Sequence, residues 1–381
     1  MGERIHSIDS MRIIAMLFVV AIHTDLFRNI TIYGNMINFA IDSSARFAVP
    51  FFFVTSGYFF ARKTANRDPV SYFVKRATTI ASIYVFGLLL SAPVFLAGTA
   101  ARAGIHDQAV TASVVGKLAE FTSPVALFYY GNSVSEILWF LPALLVSLGL
   151  ICLFVLADKT SYLLPISVSF HVVGLLGASY TMFVDVPFEI RDALFFGFFY
   201  TSLGYYIASR DWQPAPEWSR RYLGATVLFS ALHVGERYVL GYVVGDETFA
   251  HGVYTASYSV VTVLVTLSLF AFLLSRPSLG RSTSLPSWGK YAVGVYVVHP
   301  AVLFALETIG ELLVANGYEI ESSLWWHLVL TPATFFGALF VYLLATKHGV
   351  VEVGGSHLPG TDRLWKYDLR HPSGDSRSRN N

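Results

Sequence analysis

The chain has 381 residues, of which 54% are hydrophobic and 13% charged, and its formal net charge is +1. A soluble domain carries about a quarter charged residues, so this composition, with a mean hydropathy of +0.56, excludes a water-covered surface and implies an integral membrane protein. The near-neutral charge balance leaves no nucleic-acid footprint, and a single cysteine, Cys152, excludes an internal disulfide and a thiolate metal cluster.

Ten apolar stretches follow in chain order, at 8–27, 44–61, 78–98, 136–156, 160–182, 190–209, 220–244, 251–275, 288–310 and 323–346. Each is near the length a hydrocarbon core requires. They are far longer than the roughly ten-residue alternating strands of a membrane barrel. The first is too long for a signal-peptide core and holds its own ionisable residues, so it is expected to stay in the mature protein. The fold class expected is all-α: a polytopic transmembrane bundle of about ten spanning helices over residues 1–346. A polar tail, 347–381, is expected to be disordered. The longest connection, 99–135, contains HDQAVTASVVGKLAEFT and reads as a short amphipathic helix on the outer face. No internal repeat marks the two halves of a transporter.

Lys and Arg give the orientation. With the N-terminus inside, nineteen of the twenty-six fall on the inner side and four in external loops, while Arg12, Arg46 and Arg237 lie within expected helices. Positive charge collects on the cytoplasmic side, so both termini are expected to be cytoplasmic, with the chain in the cell membrane among its lipids.

The first apolar stretch carries the chemistry. Arg12 and His23 are eleven residues apart in IDSMRIIAMLFVVAIH, which places them within roughly 20° of one helix face and about 16 Å apart along the axis. Asp9, three residues before Arg12, is in reach for an ion pair. Taken singly, Arg12 reads equally well as a snorkelling interfacial cation and His23 as a satisfied end residue. Together they describe a polar path with a cationic inner mouth and a titratable outer end. That spacing suits a substrate with phosphates at one end and a reactive group on a long arm, which is the shape of acyl-coenzyme A. A guanidinium holds phosphate well, and an imidazole titrates near neutrality and acts as a general base. Neither a G-x-S-x-G elbow nor an H-E-x-x-H zinc motif is present, and no metal is expected.

These residues resemble the first helix of the integral-membrane acyltransferase 3 family, in which an Arg and a His are separated by ten residues. SARFAVPFFFVTSGYFF (44–60) resembles that family's second helix, closest to its polysaccharide O-acetyltransferase branch. ILWFLPALL (137–145) resembles its Leu-Trp-Phe-Leu segment, and YAVGVYVVHP (291–300) its late His-Pro motif. The resemblance implies a ten-helix bundle taking an acyl group, usually acetyl, from cytoplasmic acyl-CoA to a hydroxyl on an extracytoplasmic glycan or lipid-linked saccharide. Acetyl-CoA would be a co-substrate rather than a permanently bound cofactor. Catalysis is carried onto His23 and Arg12, and substrate contacts onto Arg46, Ser56, Trp139 and His299. Where many members carry Arg-x-x-Arg after the second helix, KRATT here supplies Arg76 but Thr79, so CoA phosphates are expected on Arg12, Lys75 and Arg76, with Arg62 in reserve.

Each candidate has a plainer reading. Arg46 positions acyl or acceptor groups, or anchors at the interface. Ser56 lies beside Gly57, where packing is the better reading. Trp139 flanks an acyl pocket or belongs to an interfacial belt. Glu136 orients His23 or binds a sugar hydroxyl, against a slightly favoured role as a helix N-terminal carboxylate. His299, next to Pro300, is read as hydrogen-bonded or tunnel-lining rather than catalytic. His171 and His233 read as satisfied interior histidines, and Glu236–Arg237 as either a local pair or part of an acceptor cleft. The rival from another class is a polytopic transporter or flippase for an anionic or glycan substrate.

Overall fold

The computed structural model describes residues 4–183, 190 and 192–357, and among these it is all-helical, with no strand. The first helix, α1 (His6–His23), takes Asp9 into its first turn, where a carboxylate suits the positive end of the helix dipole. α2 (Ile32–Ala45) is capped by Thr31, whose side chain accepts from the Gly34 N–H. α3 (Ala48–Thr64) follows at once. The two do not fuse because Pro50 lacks the N–H that would reach back to the Arg46 carbonyl, so the run breaks at Arg46–Phe47. α2 was not expected: its polar Asn35, Asn38 and Asp42, all buried, dilute the apolar signal of what reads as a loop.

α4 (Pro69–Ile105) starts with Asp68 accepting from Ser71 N–H and Pro69 at its first position, and runs for 37 residues. At about 55 Å it overshoots the hydrocarbon core at both ends, so the expected span 78–98 is only its middle. The amphipathic helix expected in 99–135 is present as α5 (Val110–Phe121), none of whose residues is buried. There follow α6 (Phe140–Leu156), entered by a 3-10 turn at Glu136–Trp139, α7 (Thr160–Ala178), and α8 (Phe198–Ser209), entered by a π turn at Ala193–Gly197. Then come α9 (Ser219–Tyr238), α10 (Val260–Ser275), α11 (Leu285–Trp288), α12 (Ala292–Ala315) and α13 (Leu324–Lys347).

Eight helical runs among the described residues are long and apolar enough to cross a membrane. The other two expected spans are shorter than their apolar runs. The expected 251–275 does not become helical until Ser259, where a capping box with Thr262 starts α10. The expected 190–209 starts at Asp192, which caps the π turn before α8 by accepting from Phe195 N–H.

Packing places α1 at the centre, against α2, α3, α10, α11, α12 and α13. α3 packs most closely on α8, and two glycines make that approach possible. A Cβ on Gly57 would run into the Thr201 carbonyl, and one on Gly204 into that of Val54, the small-residue contact that lets membrane helices close up. α12 lies between α4 and α13. Cys152 is buried in α6 as packing. The chain turns back after α13: Tyr342 donates to the Glu352 carbonyl at 3.2 Å and accepts from Gly354 N–H at 2.9 Å. Gly355 lies against the Thr79 carbonyl of α4. The rest of the expected disordered tail, with Arg363, Lys366, Arg370, Arg377 and Arg379, lies outside the described residues, as does Arg191.

Candidate functional site

Because α1 is unbroken from His6 to His23, Arg12 and His23 sit on one rigid rod about 16 Å apart. The two ends of the rod have different surroundings. At the N-terminal end, Arg12 donates to Asp9 at 3.0 Å, Asp9 takes Arg4 Nε at 2.6 Å on its other oxygen, and the Arg12 guanidinium lies 5.3 Å from the centre of the Phe59 ring. A cavity of about 340 Å³ opens there, lined by Arg4, Asp9, Arg12, Ser56, Phe59, Lys63, Tyr72 and Arg76 among others. Four cations face one carboxylate, so the cavity attracts anions. Cavities of about 420 and 500 Å³ adjoin it, sharing Arg4 with the first and Lys63 with the second, and both touch Arg62.

Arg12, Arg76 and Ser56 therefore meet in one place, and Lys75 does not line that cavity. Arg4 and Lys63 line it instead. Sequence reasoning missed this because they come from the start of α1's approach and the end of α3, far from the KRATT stretch. Thr79 itself is buried, donates to the Lys75 carbonyl at 2.9 Å and is covered by Gly355. An arginine at that position would collide with the returning chain.

At the C-terminal end, the His23 ring lies 5.6 Å from that of His299, centre to centre. His299 is fully buried in α12. The loop after His23 closes over this end: Thr24 bonds Thr331 at 2.6 Å, Phe27 N–H donates to His327 Nδ1 at 3.1 Å, and Asn38 donates to the Leu26 carbonyl at 3.0 Å. Asp25, Phe27 and Asn29 all hold positive φ there, a conformation that non-glycine residues seldom adopt without surrounding support. Between the two ends lies an apolar slot of about 40 Å³, lined by Met16 and Val19 of α1, Val49 and Phe52 of α3, and Val293 and Tyr296 of α12, with others. A cationic mouth, an apolar slot and a histidine pair thus follow one another along α1.

Ser56 donates to the Phe52 carbonyl at 2.8 Å while lining the Arg12 cavity. The remaining candidates stand apart from that line. Arg46 grips Asp42 with two hydrogen bonds, at 3.0 and 2.6 Å, and its side chain is largely buried, so it is no interfacial anchor. Asp42 also takes Arg237 at 2.6 Å, and Arg237 is 1% exposed. Arg237 and Glu236 do not pair with each other. Arg237 bonds Asp42, Ser43 and the carbonyls of Tyr254 and Ala256, whereas Glu236 accepts from Tyr180, Ser259 and Val261 N–H. This buried network ties the α2–α3 break to α9 and the lead-in to α10.

Trp139 is buried against Phe53 and Phe196, inside the bundle rather than in an interfacial belt. Glu136 is exposed at the first position of its 3-10 turn. His233 is satisfied at both nitrogens by the Ser43 carbonyl and Thr262. His171 bonds the Phe195 carbonyl and stacks on Phe199 at 4.1 Å, but its Nε2 has no partner. Among the described residues no group of three His, Cys, Asp or Glu side chains gathers to hold a metal.

Residues 5–344 match the acyltransferase 3 family, described as an acyltransferase domain. The chain belongs to that family. A relative from Enterococcus faecalis named amino-acid racemase is 29% identical over 224 residues, which is 54% of this chain. The match spans 28% of that protein's length, and the racemase name describes the longer protein. No solved structure matches the chain. The matched residues include every one of the helices that line the site on α1.

Proposed function

We propose that the chain moves acetyl from cytoplasmic acetyl-CoA to a hydroxyl of an extracytoplasmic glycan or glycolipid of the cell envelope, with both termini in the cytoplasm. The observation that carries this reading is the sequence of environments along α1. Cations gather round Arg12, an apolar slot follows, and His23 and His299 meet at the far end. An extended phosphopantetheine arm covers the ~16 Å between the ends. Arg12, Arg76, Lys63 and Arg4 take the CoA phosphates, and Ser56 faces the donor on entry. The arm runs through the slot and delivers the thioester to His23. His23 then removes the acceptor's hydroxyl proton as that oxygen bonds to the acyl carbon. The carbon–sulfur bond breaks, and the departing thiolate takes the proton back from the imidazolium. Arg46, Glu136 and Trp139 serve on the acceptor side, Arg46 by holding the α2–α3 break and Trp139 by packing the start of α6.

The test is acyl transfer in membrane vesicles from the source cells, supplied with radiolabelled acetyl-CoA. Label is expected in envelope saccharide, to disappear in the gene deletion and to return with the wild-type gene. Vesicles whose saccharides take up equal label with and without the chain would reject the reading, and transport of an unmodified glycan would favour a flippase instead.

A further inference from the structure

His299 and Pro300 are adjacent in the interior of α12, and their order has a structural consequence. In a regular helix the N–H of residue 300 would bond the carbonyl of residue 296. Proline has no N–H, so the Tyr296 carbonyl loses that donor. The His299 side chain replaces it: Nδ1 stands 2.7 Å from the Tyr296 carbonyl and 3.2 Å from that of Val295. A carbonyl only accepts, so Nδ1 carries the ring proton. The imidazole is 0% exposed, and Nδ1 meets only backbone carbonyls. Nε2 is therefore left as a buried lone pair, and it has no hydrogen-bond partner within the protein. The ring lies 5.6 Å from that of His23, centre to centre, and 5.9 Å from Tyr296. Between imidazoles at that separation, facing nitrogens are about one hydrogen bond apart.

We infer that His299 is a positioning residue for His23, its Nε2 accepting the N–H of the His23 ring during transfer. That bond would turn the other His23 nitrogen, with its lone pair, toward the acceptor hydroxyl. It would also stabilise the imidazolium once the proton arrives, the part a carboxylate plays behind histidine in hydrolase triads. Pro300 belongs to the device, because by removing a helix donor it fixes the tautomer of the residue before it. Tyr296 fixes the other side of the joint: its hydroxyl donates to the Ile137 carbonyl and accepts Phe140 N–H at 3.2 Å, so α12 is tied to the start of α6.

The inference rests on His23 acting as the base, and two amide substitutions separate it from mere packing. His299→Asn places an amide where Nδ1 lies and keeps the bond to the Tyr296 carbonyl, but leaves nothing at the Nε2 position. His299→Gln reaches the Nε2 position and offers a carbonyl acceptor there. In source-cell vesicles fed acetyl-CoA, His299→Asn is expected to lower the maximal rate about 100-fold with the half-saturating acetyl-CoA concentration unchanged. His299→Gln is expected to recover at least a tenth of the wild-type rate. Selective ¹⁵N-histidine spectra of the reconstituted wild type should show His299 protonated at Nδ1. Equal rates for Asn and Gln, a wild-type rate for Asn, or an Nε2-protonated His299 would overturn the inference. A His23→Ala control separates the two claims. If it is inactive while His299→Asn is fully active, only the role of His299 fails; if it is fully active, the base assignment fails and this inference with it.

Discussion

The two ends of α1 present opposite solutions to placing polar groups in a membrane. At the N-terminal end, charge is plentiful: Arg4, Arg12, Lys63 and Arg76 share an open cavity with one carboxylate between them. At the C-terminal end, His23 and His299 bring two imidazoles together, and His299 is packed with no exposure beneath a hydrogen-bonded loop. The difference fits a division of labour. Recognition of phosphate needs uncompensated positive charge that water can reach. Proton transfer needs a lone pair held in one orientation and shielded from water. On one helix about 16 Å separates the two ends, and an apolar slot lies between them.

The largest effect is expected at the His23 end. His23→Ala should lower transfer by ~1,000-fold or more, within the range general bases contribute, while acetyl-CoA still binds within about twofold of wild type. Retained transfer would remove His23 from the chemistry. Arg12→Ala should raise the acetyl-CoA dissociation constant ~10- to 100-fold, the equivalent of about 1.5–3 kcal/mol for a charge-assisted hydrogen bond. Arg12→Lys should fall between, since an ammonium cannot bind phosphate in two places at once. An Arg12→Ala protein with wild-type donor affinity would show that the Arg12 cavity has another occupant.

The boundary between the ends can be tested separately. Val19→Phe should fill the slot and weaken acetyl-CoA binding about tenfold, roughly the 1–3 kcal/mol of overpacking. Binding of 3′-phospho-ADP, which has no arm to thread, should be unaffected in a calorimetric titration. Equal loss for both ligands would mean that the slot is not on the donor's path. The smallest effect is that of salt. Raising ionic strength from about 0.05 to 0.5 M should weaken donor binding several-fold by screening and leave the maximal rate nearly constant.

Much of this contrast is legible in the sequence, because it lies on a single helix. Helical periodicity alone places Arg12 and His23 on one face, and the unbroken α1 bears this out. What periodicity does not reach is contact between distant segments. His299 is 276 positions from His23, and nothing in VYVVHP tells that its ring would lie beside the first helix. Arg4 and Lys63 escape notice for the same reason. α2 is missed because Asn35, Asn38 and Asp42 look like loop residues until their buried partners are known: the Phe249 and Leu26 carbonyls for the two asparagines, Arg46 and Arg237 for the aspartate. The sequence signal that does survive is the His-Pro pair, whose physical meaning lies in the donor that proline lacks.

The central claim is that donor binding and chemistry are housed at opposite ends of α1. Calorimetric titration of acetyl-CoA into nanodisc-embedded Arg12→Ala and His23→Ala proteins tests it most directly. Near-wild-type affinity is expected for His23→Ala and at least a tenfold loss for Arg12→Ala. Equal losses in both, or loss only in His23→Ala, would contradict it.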